Sequence, residues 1–201
     1  MPGNEITVSF WQQLIEWDKE CFLVLNHRLV NPVFDAVLPW FRDSLFWTPF
    51  YLFILAFILT NYRFRGLWWI LAFLSTVALT DLTGTYLFKE TIQRIRPCNE
   101  PSLFGQVRLV IRSCPGGYSF LSNHAANHFG LATFMVCSFG SNFKPWIYLL
   151  YLWALAVSFA QVYVGVHYPL DVASGALLGV VSGFVTALVY RRFAEPLKPV
   201  I

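Results

Sequence analysis

Five long apolar stretches constrain this chain more than any other feature. They run over roughly 46–61, 67–88, 124–140, 146–166 and 170–190. A helix needs ~20 largely apolar residues to cross the hydrocarbon core of a bilayer. The composition agrees: 57% of the 201 residues are hydrophobic and only 12% are charged. These proportions exclude an ordinary soluble domain and point to an all-α integral membrane helical bundle. The length fits a single domain over 1–201, with about five transmembrane helices in a core spanning 46–193.

The first 45 residues read differently. Residues 5–29 interleave apolar side chains with Glu5, Gln12, Gln13, Glu16, Asp18, Lys19 and Glu20. Such a segment carries too many charges to span and suits a helix lying in the interface. A second short surface helix is expected over 31–43, which begins with Asn31-Pro32, contains Pro39 and ends in Arg42-Asp43. The N-terminus lacks the basic-then-apolar pattern of a cleaved signal peptide, so insertion is expected to rely on the first span.

Orientation follows from the loops. If the five spans alternate, Arg63, Arg65, Lys144, Arg191, Arg192 and Lys198 share one side. The positive-inside rule makes that side cytoplasmic. Trp40, Trp47, Trp68, Trp69 and Trp146 fall near span ends, where interfacial aromatics belong. Gly175, Gly179 and Gly183 recur every fourth residue in the last span, a small-residue stripe suited to close helix packing.

The polar residues gather on the opposite face. Lys89 and Arg96 lie seven residues apart and so share a helix face, with Pro97 ending the helix near Ile95. Ser122 sits where a helix N-cap is expected, followed by Asn123 and His124. His167 precedes Asp171 across the start of the fifth span, so the carboxylate can orient one ring nitrogen and leave the other free. Each cluster also has a plainer reading as a snorkelling cation, a cap or an interfacial histidine. Together they supply cations, a nucleophile, an acid and an orienting carboxylate, which is what phosphoryl transfer needs. His124 and His128 could share a metal, but no third ligand completes the set in sequence. No metal and no cofactor is therefore expected. The net charge of +3 is mild and its cations lie at span ends, so nucleic acid is not an expected partner. The expected partners are the bilayer and an anionic substrate.

A polar loop over about 97–121 joins the second and third spans, long enough to be a candidate functional loop. Cys98 and Cys114 flank it. In an oxidising compartment they could pair; otherwise they remain two free thiols, and both readings stay open. Cys21 and Cys137 read as packing residues.

The order and spacing of these clusters resemble the type 2 phosphatidic acid phosphatase (PAP2) superfamily over roughly 20–192. Its motifs are Lys-x6-Arg-Pro, Pro-Ser-Gly-His and Ser-Arg-x5-His-x3-Asp. Here they stand as Lys89 to Pro97, Leu121-Ser122-Asn123-His124, and Ala160-Gln161-x5-His167-x3-Asp171. The resemblance implies a metal-independent lipid phosphatase of an inner membrane, working at the outer face through a phosphohistidine. His167 would be the nucleophile, Asp171 its partner and His124 the acid and then the base. Lys89, Arg96, Ser122 and the backbone of Asn123 would hold phosphate oxygens. Gln161 stands where the family has arginine and brings no charge; Arg112, in the loop, is the expected compensating cation. Undecaprenyl diphosphate is the expected substrate. Phosphatidic acid, phosphatidylglycerophosphate and lipid A are alternatives, and a lipid-phosphate binding or transport protein is an alternative of another class.

Overall fold

A computed structural model describes residues 9–139 and 145–194, and among them there is no strand. The turn expected over 141–145 and the cations Lys144 and Lys198 fall wholly or largely outside the described residues.

The chain opens with α1 (Phe10–Arg28). Ser9 accepts the Gln12 N–H and the Gln12 side chain accepts the Ser9 N–H, a reciprocal capping box. Helix α2 (Pro32–Phe41) is capped by Asn31, whose side chain accepts the Phe34 N–H at 2.9 Å, and Pro32 stands at its first position.

Helix α3 (Thr48–Leu82) is continuous in sequence but folded back on itself. Arg63 has φ 48° and ψ −129°, which breaks it into two arms. Gly66 lies so close to Ile58 that a methyl group there would sit 2.8 Å from the Ile58 carbonyl oxygen. On a straight helix those residues would be ~12 Å apart at 1.5 Å per residue. The two arms are therefore antiparallel, and the turn carries Arg63 and Arg65.

The second arm runs into a π-helical turn, Thr83–Lys89, and a last α turn, α4 (Glu90–Ile92). The expected helix to Ile95 stops three residues early. Gln93 adopts the left-handed conformation, φ 51°, so the break lies in the backbone at Gln93 and not at Pro97. Three further helices complete the bundle: α5 (Asn123–Phe139), α6 (Leu149–Tyr163) and α7 (Pro169–Phe193). Three stretches are long and apolar enough to cross a membrane: Ser44–Leu103, which includes the folded α3, Trp146–Tyr163 and Pro169–Phe193.

Helices α5 and α7 form the most extensive contact in the molecule. The glycine stripe explains it. A methyl group on Gly175, Gly179 or Gly183 would collide with the carbonyl oxygens of Ser122, Ala126 and Gly130 respectively. Four-residue steps on one helix thus match four-residue steps on the other, and without side chains between them the backbones touch. This fixes the start of α5 against the start of α7.

At the other end of the bundle, Trp69 stacks on Phe73 with centroids 5.1 Å apart and meets Phe134 at 5.2 Å and Phe139 at 5.0 Å. Tyr62, Ala187 and Tyr190 belong to the same cluster, so the Arg63–Arg65 turn and the Arg191-Arg192 end of α7 lie together. Trp69 is fully buried, not interfacial as its position near a span end suggests; Trp40, Trp68 and Trp146 are exposed.

The 97–121 loop is tied down at several points. Cys98 and Cys114 are disulfide-bonded, with Cα atoms 5.8 Å apart. The buried Asn26 of α1 donates to the carbonyls of Arg108 and Tyr163 and accepts the Arg108 N–H. Arg108 pairs with Asp35 of α2 at 2.5 Å, and Tyr163 of α6 donates to the same carboxylate. Gly165, at φ 93°, lets the chain between α6 and α7 lie directly against the Arg108 carbonyl.

Candidate active site

His167 is held in the short connection between α6 and α7, where its N–H donates to the Gln161 carbonyl at 3.3 Å. Its side chain is almost fully buried. Asp171 lies one turn into α7 and is placed by its own capping role, accepting the Tyr168 N–H at 2.9 Å. The Asp171 carboxylate stands 3.4 Å from His167 Nδ1. Ser119 donates to the same carboxylate oxygen and lies 3.3 Å from the same ring nitrogen. The opposite nitrogen, Nε2, faces the Arg96 guanidinium at 3.0 Å. This arrangement suits a neutral imidazole with Nδ1–H directed at the carboxylate and a lone pair on Nε2 directed at the cations. Burial pushes the His167 pKa down to about 4, while the hydrogen bond and charge of Asp171 pull it upward.

Arg94 lies behind this pair. Its guanidinium contacts Asp171 and Asp18 at 2.7 Å each and lies 3.8 Å from the centre of the Tyr168 ring. Both carboxylates are fully buried. Asp18 also accepts the Leu170 N–H at 2.9 Å. Through Arg94, Asp18 of α1 is tied to the carboxylate beside His167. Burial raises the Asp18 pKa, against the Leu170 hydrogen bond and the Arg94 charge.

The second cluster arrives on α5. Ser122 caps that helix, its hydroxyl accepting the Ala125 N–H at 3.4 Å, and its own N–H donates to the Asp171 carbonyl at 3.0 Å. Asn123 turns its side chain away, donating to Asp81 at 2.8 Å and Thr85 at 3.0 Å. Gly84 leaves room for that amide: a methyl group there would meet the Asn123 oxygen at 2.6 Å. His124 has His167, His128, Arg42 and Lys89 as its charged or ionisable neighbours. His128 is a supporting residue: it donates to the His124 carbonyl at 2.8 Å and meets the Tyr51 hydroxyl at 3.2 Å.

Lys89 is half-buried at the end of the π turn, with Arg96 as a charged neighbour. Arg96 is buried and also donates to the carbonyls of Gly117 and Val166, each at 3.3 Å. Gln161 is fully buried on α6, and its amide nitrogen has no hydrogen-bond partner.

The structure therefore brings Lys89, Arg96, Ser122, Asn123, His124, Gln161, His167 and Asp171 to one end of the bundle. Arg112 lies apart from them. It is exposed, and no hydrogen bond or ion pair joins it to these residues. The cation beside Gln161 is Arg42, whose Nε donates to the Gln161 side-chain oxygen at 3.4 Å. Sequence reasoning missed Arg42, Arg94 and Ser119. Arg94 alone had a local signal, a third cation between Lys89 and Arg96. Among the described residues, no cluster of three or more His, Cys, Asp or Glu side chains could hold a metal ion.

One family model, that of the PAP2 superfamily, matches residues 67–195, which include all of these site residues except Arg42 and Asp18. The chain belongs to the PAP2 superfamily. Among its relatives is a lipid A 4'-phosphatase of Bacteroides thetaiotaomicron, 30% identical and covering 92% of this chain and 82% of the relative. A lipid A 4'-phosphatase of Porphyromonas gingivalis is 26% identical, covering 89% and 75%. An undecaprenyl-diphosphatase of Sulfolobus acidocaldarius is 28% identical, covering 84% and 76%. The crystal structure of a transmembrane PAP2-type phosphatidylglycerolphosphate phosphatase from Bacillus subtilis superposes with a TM-score of 0.67 at 25% identity, covering 91% of this chain and 89% of that one. This PAP2 protein is thus a membrane phosphatase.

Proposed function

We propose that this phosphatase removes a phosphate from a lipid of the lipid A class through a phosphohistidine at His167. The observation that carries the chemistry is the polarity of His167: a carboxylate on one ring nitrogen, a guanidinium beside the other. In the first step His167 Nε2 forms a bond to phosphorus as the bond to the lipid oxygen breaks. His124 gives that oxygen its proton. In the second step His124 takes a proton from water, the water oxygen attacks phosphorus, and the N–P bond breaks to release inorganic phosphate. Asp171 holds the tautomer and stabilises the positive ring. Lys89, Arg96 and Ser122 hold the phosphoryl oxygens. Charge spreads over those oxygens in the transition state, so fixed cations act there most strongly. No step calls for a metal.

The choice of lipid rests on the two lipid A 4'-phosphatases among the relatives. Undecaprenyl diphosphate, expected from sequence, is the second reading and is favoured by the Sulfolobus relative. The site end faces outward across an inner membrane, because Arg63, Arg65, Arg191 and Arg192 mark the other end as cytoplasmic. Purified protein given lipid A, undecaprenyl diphosphate, phosphatidylglycerophosphate and phosphatidic acid tests the proposal. Lipid A should show the highest kcat/KM. A tenfold preference for undecaprenyl diphosphate would transfer the assignment to the second reading, and release from none of the four would overturn both.

A further inference from the structure

Gln161 brings no charge of its own, but a cation lies beside it. Helix α2 lies across the end of α6, with Leu38 packed in the same cluster as Ala160 and Tyr163. Asp35 is locked to Arg108 and Tyr163. These contacts fix the C-terminal cap of α2, Arg42, over Gln161. The Arg42 Nε donates to the Gln161 oxygen, which leaves the two terminal guanidinium nitrogens without a hydrogen bond among the described residues. The neighbouring Asp43 does not neutralise it through a bond, since its carboxylate caps the following turn at Leu45.

Arg42 instead faces other cations. Arg96 and His124 both feel its charge. Lys89, Arg96 and Arg42 form no salt bridge among the described residues, whereas Arg94, close by, has two carboxylates. Asp81 and Asp171 act on Lys89, Asp171 on Arg96 and Asp43 on Arg42 only from beyond salt-bridge distance. Like charges held together in this way repel one another, and an anion between them removes that repulsion. The Gln161 amide nitrogen, buried and unpartnered, adds one neutral donor to the same place.

We propose that Arg42, supplied by α2, is a phosphate-binding residue of this site and carries the charge that Gln161 does not. The inference rests on the phosphatase reading. The N-terminal helices then do more than cover the bundle: they complete the anion site, with Gln161 aligning the guanidinium that binds phosphate.

The test measures lipid-phosphate hydrolysis and orthovanadate binding in Arg42→Ala, Arg42→Lys and the double variant Arg42→Ala/Gln161→Arg. Arg42→Ala should lose roughly 100-fold in kcat/KM, as when one transition-state donor is removed, and should bind vanadate more weakly. Arg42→Lys should fall between. The double variant should recover most of the loss, because the cation returns from α6. Unmodified rate and vanadate affinity in Arg42→Ala would overturn the proposal. So would a loss of rate with unchanged vanadate affinity and no recovery in the double variant, which marks a purely structural residue. If the unmodified protein hydrolyses no lipid phosphate, the phosphatase reading fails. Vanadate affinity, measured on unmodified protein and Arg42→Ala, still decides whether Arg42 holds an anion.

Discussion

The two ends of this bundle use the same helices for opposite purposes. At one end, Trp69, Phe73, Phe134 and Phe139 fill the space between α3 and α5 with rings, and the single polar atom of Trp69 is satisfied by Ser138 at 2.9 Å. At the other end, glycines bring the backbones of α5 and α7 into contact, and charged side chains gather around the starts of those helices. Some of these are matched, as Arg94 is by Asp18 and Asp171. Others, Lys89, Arg96 and Arg42, are left facing inward without a salt bridge among the described residues. Under the proposed function, one end serves cohesion and the other chemistry: the paired charge positions, and the charges without a salt bridge bind phosphate.

If that separation holds, substitutions should sort by end. His167→Ala should give the largest effect, a loss of roughly a thousandfold or more in kcat with the fold retained. Detergent-solubilised protein assayed beside a thermal melt would show it, and near-normal turnover would remove His167 as nucleophile. Trp69→Ala should do the reverse. A large buried ring lost from a packed core costs about 3–5 kcal/mol, so unfolding should be easier while the kcat of the folded fraction stays within roughly twofold. A large change in kcat would show that the two ends are coupled.

Arg94→Met tests the boundary. It leaves two buried carboxylates unpaired, a change that typically costs about 3–5 kcal/mol. It should also lower kcat, because Asp171 loses an anchor while KM is little altered. Loss of stability alone would make Arg94 a brace for α1 only. Breaking the disulfide with Cys98→Ser should matter less. The cysteines are 16 apart in sequence, for which the chain-entropy estimate is about 3 kcal/mol. The loss should register in the melting temperature more than in kcat.

The dependence of stability on pH, spread over more than two pH units, is the most gradual effect. The His167 pKa is depressed by burial to about 4 from 6.5. The folded protein therefore prefers the neutral ring. The stabilisation is in place above pH 6.5 and is lost as the pH falls toward 4. The melting temperature should decline across that window, and His167→Gln should decline less. Equal declines would mean that other groups account for the loss.

Much of this was legible in the chain. The apolar stretches gave the rods because lipid demands ~20 apolar residues per crossing. The glycine stripe gave the α5–α7 contact because a four-residue repeat survives as a helix face. His167 and Asp171 could be paired because they are neighbours along the chain. Arg42 could not be read. It lies 119 residues from Gln161, and only the way α2 rests across α6 joins them. Arg112 is near the motifs along the chain, but nearness in sequence is not nearness in space. The path of that loop is set by Asn26 and the disulfide, neither of which leaves a periodic trace. Trp69 was misplaced for a similar reason: a tryptophan near a span end can turn inward once a hairpin brings a partner to it.

In the proposed mechanism, phosphate passes through His167. Rapid quenching of a single turnover with lipid substrate labelled in its phosphate would test it directly. Transient label is expected on the protein, stable to alkali and lost in acid, mapped by peptide analysis to His167 and absent from His167→Ala. Inorganic phosphate released at full rate with no label on His167 at any time would contradict it.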